Sequence, residues 1–183
     1  MRYNYETGLN RLAKLIIIRS NSGSGKTSVS KALQEKFGEN TMLISQDTVR
    51  REILRTRDGA DTKALPLMTE LLKYGRHNSP VTIMEGIMVA EWYMPLFEAA
   101  IEEFGSEIYA YYYDLPFEET VARHGTRDKR TEFGAEDMRR WWVENDYMKI
   151  IPEKIFTKET GLDEAVEMIF RDVNGNSENI LED

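Results

Sequence analysis

Short runs of aliphatic and β-branched residues recur along the chain, and most lead into stretches whose apolar positions fall three or four apart. Ala13 to Arg19, with Leu15-Ile16-Ile17-Ile18 at its centre, reads as a buried first strand ending in a Ser/Gly cluster. Residues 26 to 37 place Val29, Leu33 and Phe37 on one helical face. Thr41 to Ser45 predicts a second strand, with helices following over Asp47 to Arg57 and Ala64 to Tyr74. Val81 to Met84 is a third strand after the Asn78-Ser79-Pro80 turn, and Met94, Phe97, Ile101 and Phe104 mark the next helix. Ile108 to Tyr113 is a fourth strand. Phe117 to Arg127 and Ala135 to Asn145 read as helices, Lys154 to Thr157 as a short fifth strand, and Leu162 to Phe170 as a closing helix. The acidic tail, about 174–183, reads as frayed.

Strands alternating with helices imply an α/β architecture with a mainly parallel sheet. Continuously apolar strands fit a sheet covered on both faces. Ligands of such sheets bind outside the carboxyl ends of the strands, and the chemistry-bearing residues of this chain lie at those ends. No repeat, low-complexity tract or long linker divides the sequence, so residues 1–183 are expected to form a single domain.

The first strand runs into Ser20-Asn21-Ser22-Gly23-Ser24-Gly25-Lys26-Thr27 and then a helix. This is the phosphate-loop pattern G-x-x-x-x-G-K-[ST] with Ser20 at the first glycine position, in the strand–loop–helix setting the pattern requires. Its glycines let successive N–H groups turn toward phosphate oxygens, above the positive end of a helix. Asn21, Ser22, Gly23, Ser24, Gly25, Lys26, Thr27 and Ser28 are therefore the candidate nucleotide-binding set for ATP. Lys26 would reach the β- and γ-phosphates, and Thr27 would ligate Mg²⁺. The competing reading is a Gly/Ser turn with an incidental lysine.

Asp47 follows the second strand and is a candidate general base for an attacking hydroxyl. Arg50 lies one helical turn on, and Arg50 and Arg51 could hold an anionic group of the acceptor. Asp47 could equally cap its helix, with Arg50, Arg51, Arg55 and Arg57 as a solvated face. Glu85-Gly86 after the third strand would order magnesium's water shell or bind acceptor hydroxyls, or would simply be a solvent-exposed strand end. Arg123, Arg127 and Arg130 lie in a basic stretch flanked by Gly125 and Gly134, and residues 123–140 are a candidate lid over ATP. Arg123 and Arg127 are its candidate catalytic cations, against a solvated charged loop as the alternative. Trp141-Trp142 and Tyr111-Tyr112-Tyr113 fit core or lid packing more readily than base stacking. His77 and His124 lack metal-ligand spacing.

Charge and composition narrow the picture. The formal net charge is −8, which argues against a long polyanionic partner. Six of the 24 Lys and Arg residues fall between Arg123 and Arg140, a concentration suited to a few phosphates. Cysteine is absent, so disulfides and thiolate metal sites are excluded and a reducing, cytoplasmic setting is expected. No apolar run approaches the roughly 20 residues of a membrane span, and the first residues lack a signal-peptide layout.

With these motifs in view the sequence resembles the small P-loop kinases, above all the group of phage-type polynucleotide kinase, zeta toxin and chloramphenicol phosphotransferase. Glu85-Gly86 also looks like the uridine-kinase type. The resemblance spans about residues 13 to 172. It implies a P-loop NTPase three-layer sandwich, a parallel five-stranded sheet of order 2-3-1-4-5 and a helical, arginine-bearing lid. It further implies that Asp47 is the general base, Arg50 an acceptor-binding cation and Arg123 and Arg127 the lid arginines. The expected function is an ATP-dependent kinase acting on a hydroxyl of a small molecule (metabolite, nucleoside or antibiotic-like), as monomer or homodimer. A polynucleotide 5′-hydroxyl kinase and a nucleotide-binding regulatory ATPase remain the alternatives.

Overall fold

The computed structural model describes residues 13–125 and 134–175. Its five strands are β1 (Lys14–Ser20), β2 (Met42–Ser45), β3 (Val81–Gly86), β4 (Ile108–Tyr113) and β5 (Glu153–Phe156). All pair in parallel, in the order β2-β3-β1-β4-β5. The expected α/β class and sheet order are both present.

β1 is central, and its alternation builds the two outer layers. Leu15 and Ile17 face one way, onto α2 (Ala64–Asn78) and α3 (Met94–Phe104) through Met68, Leu72, Leu96 and Phe97. Ile16 and Ile18 face the other, onto α1 (Lys26–Phe37) and α6 (Leu162–Asn174) through Val29, Leu33, Ala165 and Ile169. All four β1 side chains are fully buried, each contributing about 1.5–3 kcal/mol relative to exposure. The Tyr111-Tyr112-Tyr113 run is buried within β4. These tyrosines are packing residues.

Element ends differ from the pattern-based expectation in informative places. The helix expected over Asp47 to Arg57 is a short π-helical segment, Thr48–Ile53, closed by an i to i−5 bond from Leu54 N–H to the Val49 carbonyl. It stops because Arg55 takes a positive φ of 51°, which turns the chain into the 56–63 loop. α2 runs on to Asn78, through Gly75 packed against Thr82. α4 is Phe117–Gly125 and α5 is Ala135–Arg140. α5 ends five residues before the expected Asn145, because the chain beyond it is tied by tertiary hydrogen bonds described below. Trp142 packs edge-on against Phe117 at 5.1 Å. Among the described residues no helix is long and apolar enough to cross a membrane.

Candidate active site

The loop between β1 and α1 is internally braced. Ser20 Oγ donates to the Asn21 carbonyl (2.8 Å) and pairs with Ser24 Oγ. The serine in place of the first glycine therefore fits inside the loop. Gly23 has φ 84°, and a Cβ there would lie 2.4 Å from the Thr120 carbonyl oxygen of α4. Gly25, with φ 101°, opens α1 as its N-cap. The first N–H groups of such a helix lack intrahelical acceptors and favour an anion. Lys26 Nζ reaches back to the Asn21 carbonyl (3.3 Å).

Asp47 does not cap the helical segment that follows it. Its carboxylate instead pairs with Arg50 (2.9 Å) and Arg51 (3.3 Å). Burial pushes its pKa up, but the charges of Arg51 and Lys26 and the Arg50 hydrogen bond outweigh burial, holding it below the usual 3.8. The carboxylate thus feels the phosphate-loop lysine across the cleft. Arg50 Nε is buried with no hydrogen-bond partner among the described residues.

Glu85 is not the exposed strand end that sequence allowed: it is 2% exposed. Ser45 Oγ donates to one carboxylate oxygen (2.6 Å) and Thr27 Oγ1 to the other (3.3 Å). A buried carboxylate beside a phosphate-loop hydroxyl is a hard-oxygen donor set suited to Mg²⁺, which keeps several waters and needs few protein ligands. Gly86 has a different part. A Cβ there would meet Gln46 Cβ at 2.5 Å, so the glycine lets β3 and the end of β2 approach, and it does not line the cleft.

Two residues at the end of β1 tie the surrounding loops together. Arg19 is fully buried between Phe97 and Tyr112, its guanidinium 5.3 and 5.6 Å from their ring centroids. It bonds the Met88 carbonyl (3.0 Å), Glu153 (2.9 Å), and both the carbonyl (3.0 Å) and the carboxylate (2.7 Å) of Asp146. Those carboxylates in turn accept the backbone N–H of Ala90 and of Met148. Burial pushes both carboxyls up even beside the guanidinium. The Asn21 side-chain amide, expected at the nucleotide, pairs with both backbone groups of Val143 (2.8 and 3.1 Å).

A cleft of about 900 Å³ opens over these strand ends. One wall is the phosphate loop (Ser22, Gly23, Lys26, Thr27, Ser28), and a second is Asp47, Arg50, Arg51, Arg57 and Asp58. Ile87, Val89 and Trp92 supply apolar lining, and His124, Arg140, Trp141 and Val143 complete it. Asn21, Ser24, Gly25, Glu85 and Arg123 are not among the residues that line the cleft. Arg123 bonds Glu119 (2.6 Å) and the carbonyls of Ser24 (3.1 Å) and Lys158 (3.2 Å). In this arrangement it braces the loop against α4. Arg127 lies outside the described residues. Sequence reasoning does not single out Asp58 as a cleft residue; it has Arg140 only as the last residue of the candidate lid and Trp141 only as core or lid packing. Arg140 and Trp141 line the cleft where α5 stops, and only the early stop reveals it.

A parallel 2-3-1-4-5 sheet whose central strand feeds a glycine-lined loop and a helix N-terminus defines a P-loop kinase-like fold. The model of a family described as an AAA domain matches residues 15–141, and the chain belongs to that family. Similar solved structures include a gluconokinase from Sinorhizobium meliloti (TM-score 0.66, 16% identity, 93% of this chain and 97% of that one). Others are a tunicamycin resistance protein from Deinococcus radiodurans (0.60, 17%, 88% and 95%) and the Mycobacterium tuberculosis APS kinase (0.57, 14%, 89% and 98%). No curated protein sequence matches the chain.

Proposed function

We propose that the chain is an ATP-dependent phosphotransferase that moves the γ-phosphate to a hydroxyl of a small acceptor. The observation that carries this reading is Asp47 sharing one cleft with Lys26 and Thr27, close enough for Lys26 to shift its ionisation. The kinase names of two similar structures, the gluconokinase and the APS kinase, support it. Asp47 takes the proton of the acceptor hydroxyl as its oxygen bonds the γ-phosphorus, and the bond to the β–γ bridging oxygen breaks to leave ADP. Lys26 and the N–H groups opening α1 balance the phosphate charge. Thr27 and Glu85 would hold Mg²⁺, directly or through its waters; when bound, the ion neutralises the β- and γ-phosphates. Arg50, which lines the cleft beside Asp47, holds an anionic group of the acceptor.

The test is ADP formation from Mg-ATP, with and without a pool of metabolites and nucleosides, with products screened by mass. Acceptor-dependent ADP and one new phosphorylated species are expected. ADP release indifferent to any hydroxyl compound would instead favour the regulatory ATPase, and transfer confined to oligonucleotides the polynucleotide kinase.

The pH profile follows from the environment of Asp47. Because its pKa is lowered, the base reaches half-protonation only below its ordinary 3.8. The acid limb that this group gives the kcat/KM profile should therefore have its midpoint below 3.8. Arg51→Met removes one of the lowering charges and should move the limb upward. An unchanged limb in that variant would contradict the assignment.

A further inference from the structure

Resting on the reading of the cleft as an acceptor site, we infer that Asp58 is a specificity-determining residue. Its carboxylate accepts a hydrogen bond from a second donor group of the acceptor, a hydroxyl or an ammonium, distinct from the hydroxyl that is phosphorylated.

The turn at Arg55 brings Asp58 to the cleft wall that also carries Asp47 and Arg50. Behind it sits a rigid support. Tyr93 OH (2.8 Å) and the Gly59 N–H (3.1 Å) donate to Oδ1, and Gln46 Nε2 (2.8 Å) donates to Oδ2. Gln46 and Tyr93 are bonded to each other (2.9 Å), and their exposures are 1% and 0%. A carboxylate offers about four acceptor sites, and these three donors leave one on Oδ2. The three donors are neutral, and no cation lies within ion-pairing distance of Asp58 among the described residues. The cleft lining therefore includes a carboxylate with fixed orientation and spare accepting capacity, alongside Asp47 and Arg50. A residue that only pinned the loop would need neither the charge nor the place on the wall. Gln46 and Tyr93 act as positioning residues.

Equilibrium binding, measured by calorimetry with Mg²⁺ and a non-hydrolysable ATP analogue, tests this without turnover. The probes are matched sets with one primary hydroxyl and one carboxylate, differing only at carbon 2: 3-hydroxypropionate, glycerate and serine. The second set is a six-carbon aldonate with its 2-deoxy and 2-amino-2-deoxy forms. On at least one frame the donor-bearing members should bind the unmodified protein about tenfold tighter than the donor-less one. Asp58→Asn should abolish the advantage of the ammonium and reduce that of the hydroxyl, which tells the two donors apart. Tyr93→Phe leaves the carboxylate in place and should cost the donor-bearing members alone roughly threefold, about half of one hydrogen bond. It serves if Asp58→Asn does not fold. No discrimination on either frame, or discrimination unchanged in both variants, overturns the inference. ADP formation separates the two readings: discrimination without turnover sinks phosphoryl transfer and leaves Asp58 as a recognition residue. Turnover without discrimination does the reverse.

Discussion

Asp47→Asn is expected to lower kcat by about 10²–10⁴-fold, the usual contribution of a positioned general base. Asparagine keeps the shape of the side chain and can still accept from Arg50, which pairs with Asp47 at 2.9 Å. What is lost is the ability to take a proton. The KM for ATP should change little, because the nucleotide wall of the cleft is the phosphate loop and does not depend on this carboxylate. Steady-state kinetics with the acceptor found in the product screen would measure the split. Full transfer by the asparagine variant would remove Asp47 from the mechanism and leave positioning and charge stabilisation to carry the reaction.

The largest stability effect is expected at Arg19. Replacing it by methionine keeps much of the apolar stem but strands two carboxylates, Asp146 and Glu153, in an interior that held them against one fully buried guanidinium. Removing one partner of a buried ion pair costs about 3–5 kcal/mol. In a chain of this size that corresponds to a fall in Tm of roughly 6–20 °C. Arg19→Lys should recover little, since an ammonium cannot reproduce a planar fork that meets four acceptors. The deficit should shrink on acidification. Burial raises both carboxyls above their ordinary values, so the folded state takes up protons more readily than the unfolded chain. Stability linked to them is therefore greatest at low pH and is lost as pH rises through the folded pKa values. Thermal melts of the variant across pH would check both the size and the sign. A Tm within a degree or two of the unmodified protein at neutral pH would mean that water reaches the cluster and the clasp carries little.

Much of the fold was legible because the strands are short apolar runs and the phosphate loop follows the most apolar of them. The unbroken apolar run from Leu15 to Ile18 marked a strand covered on both faces. The phosphate-loop side of the cleft was legible for a similar reason, since Ser22, Gly23, Lys26, Thr27 and Ser28 all come from one short stretch of sequence. The acceptor half was not. Asp58 reaches the wall through a positive φ at Arg55, a conformation no periodicity signals, and it is held there by Gln46 and Tyr93 from distant segments. Arg19 was only the last residue of the predicted first strand, because its partners lie 69 to 134 residues away. Arg123 carried the right charge for a lid, yet Glu119 and two backbone carbonyls occupy its guanidinium. Composition indicates where cations are concentrated and not which of them have their donors already engaged.

The side chains of Arg19 and Asn21 flank the first residue of the phosphate loop and hold backbone from two other connections, Met88 after β3 and Val143 and Asp146 after α5. The N–H groups of Ala90, Val143 and Met148 end on carboxylate or amide side chains, where loop amides elsewhere would face water. In energetic terms such shared hydrogen bonds couple the loops, so that they are expected to open as one unit. A disturbance of the phosphate loop should then reach the segment from Met88 to Ala90, and with it the cleft lining at Val89.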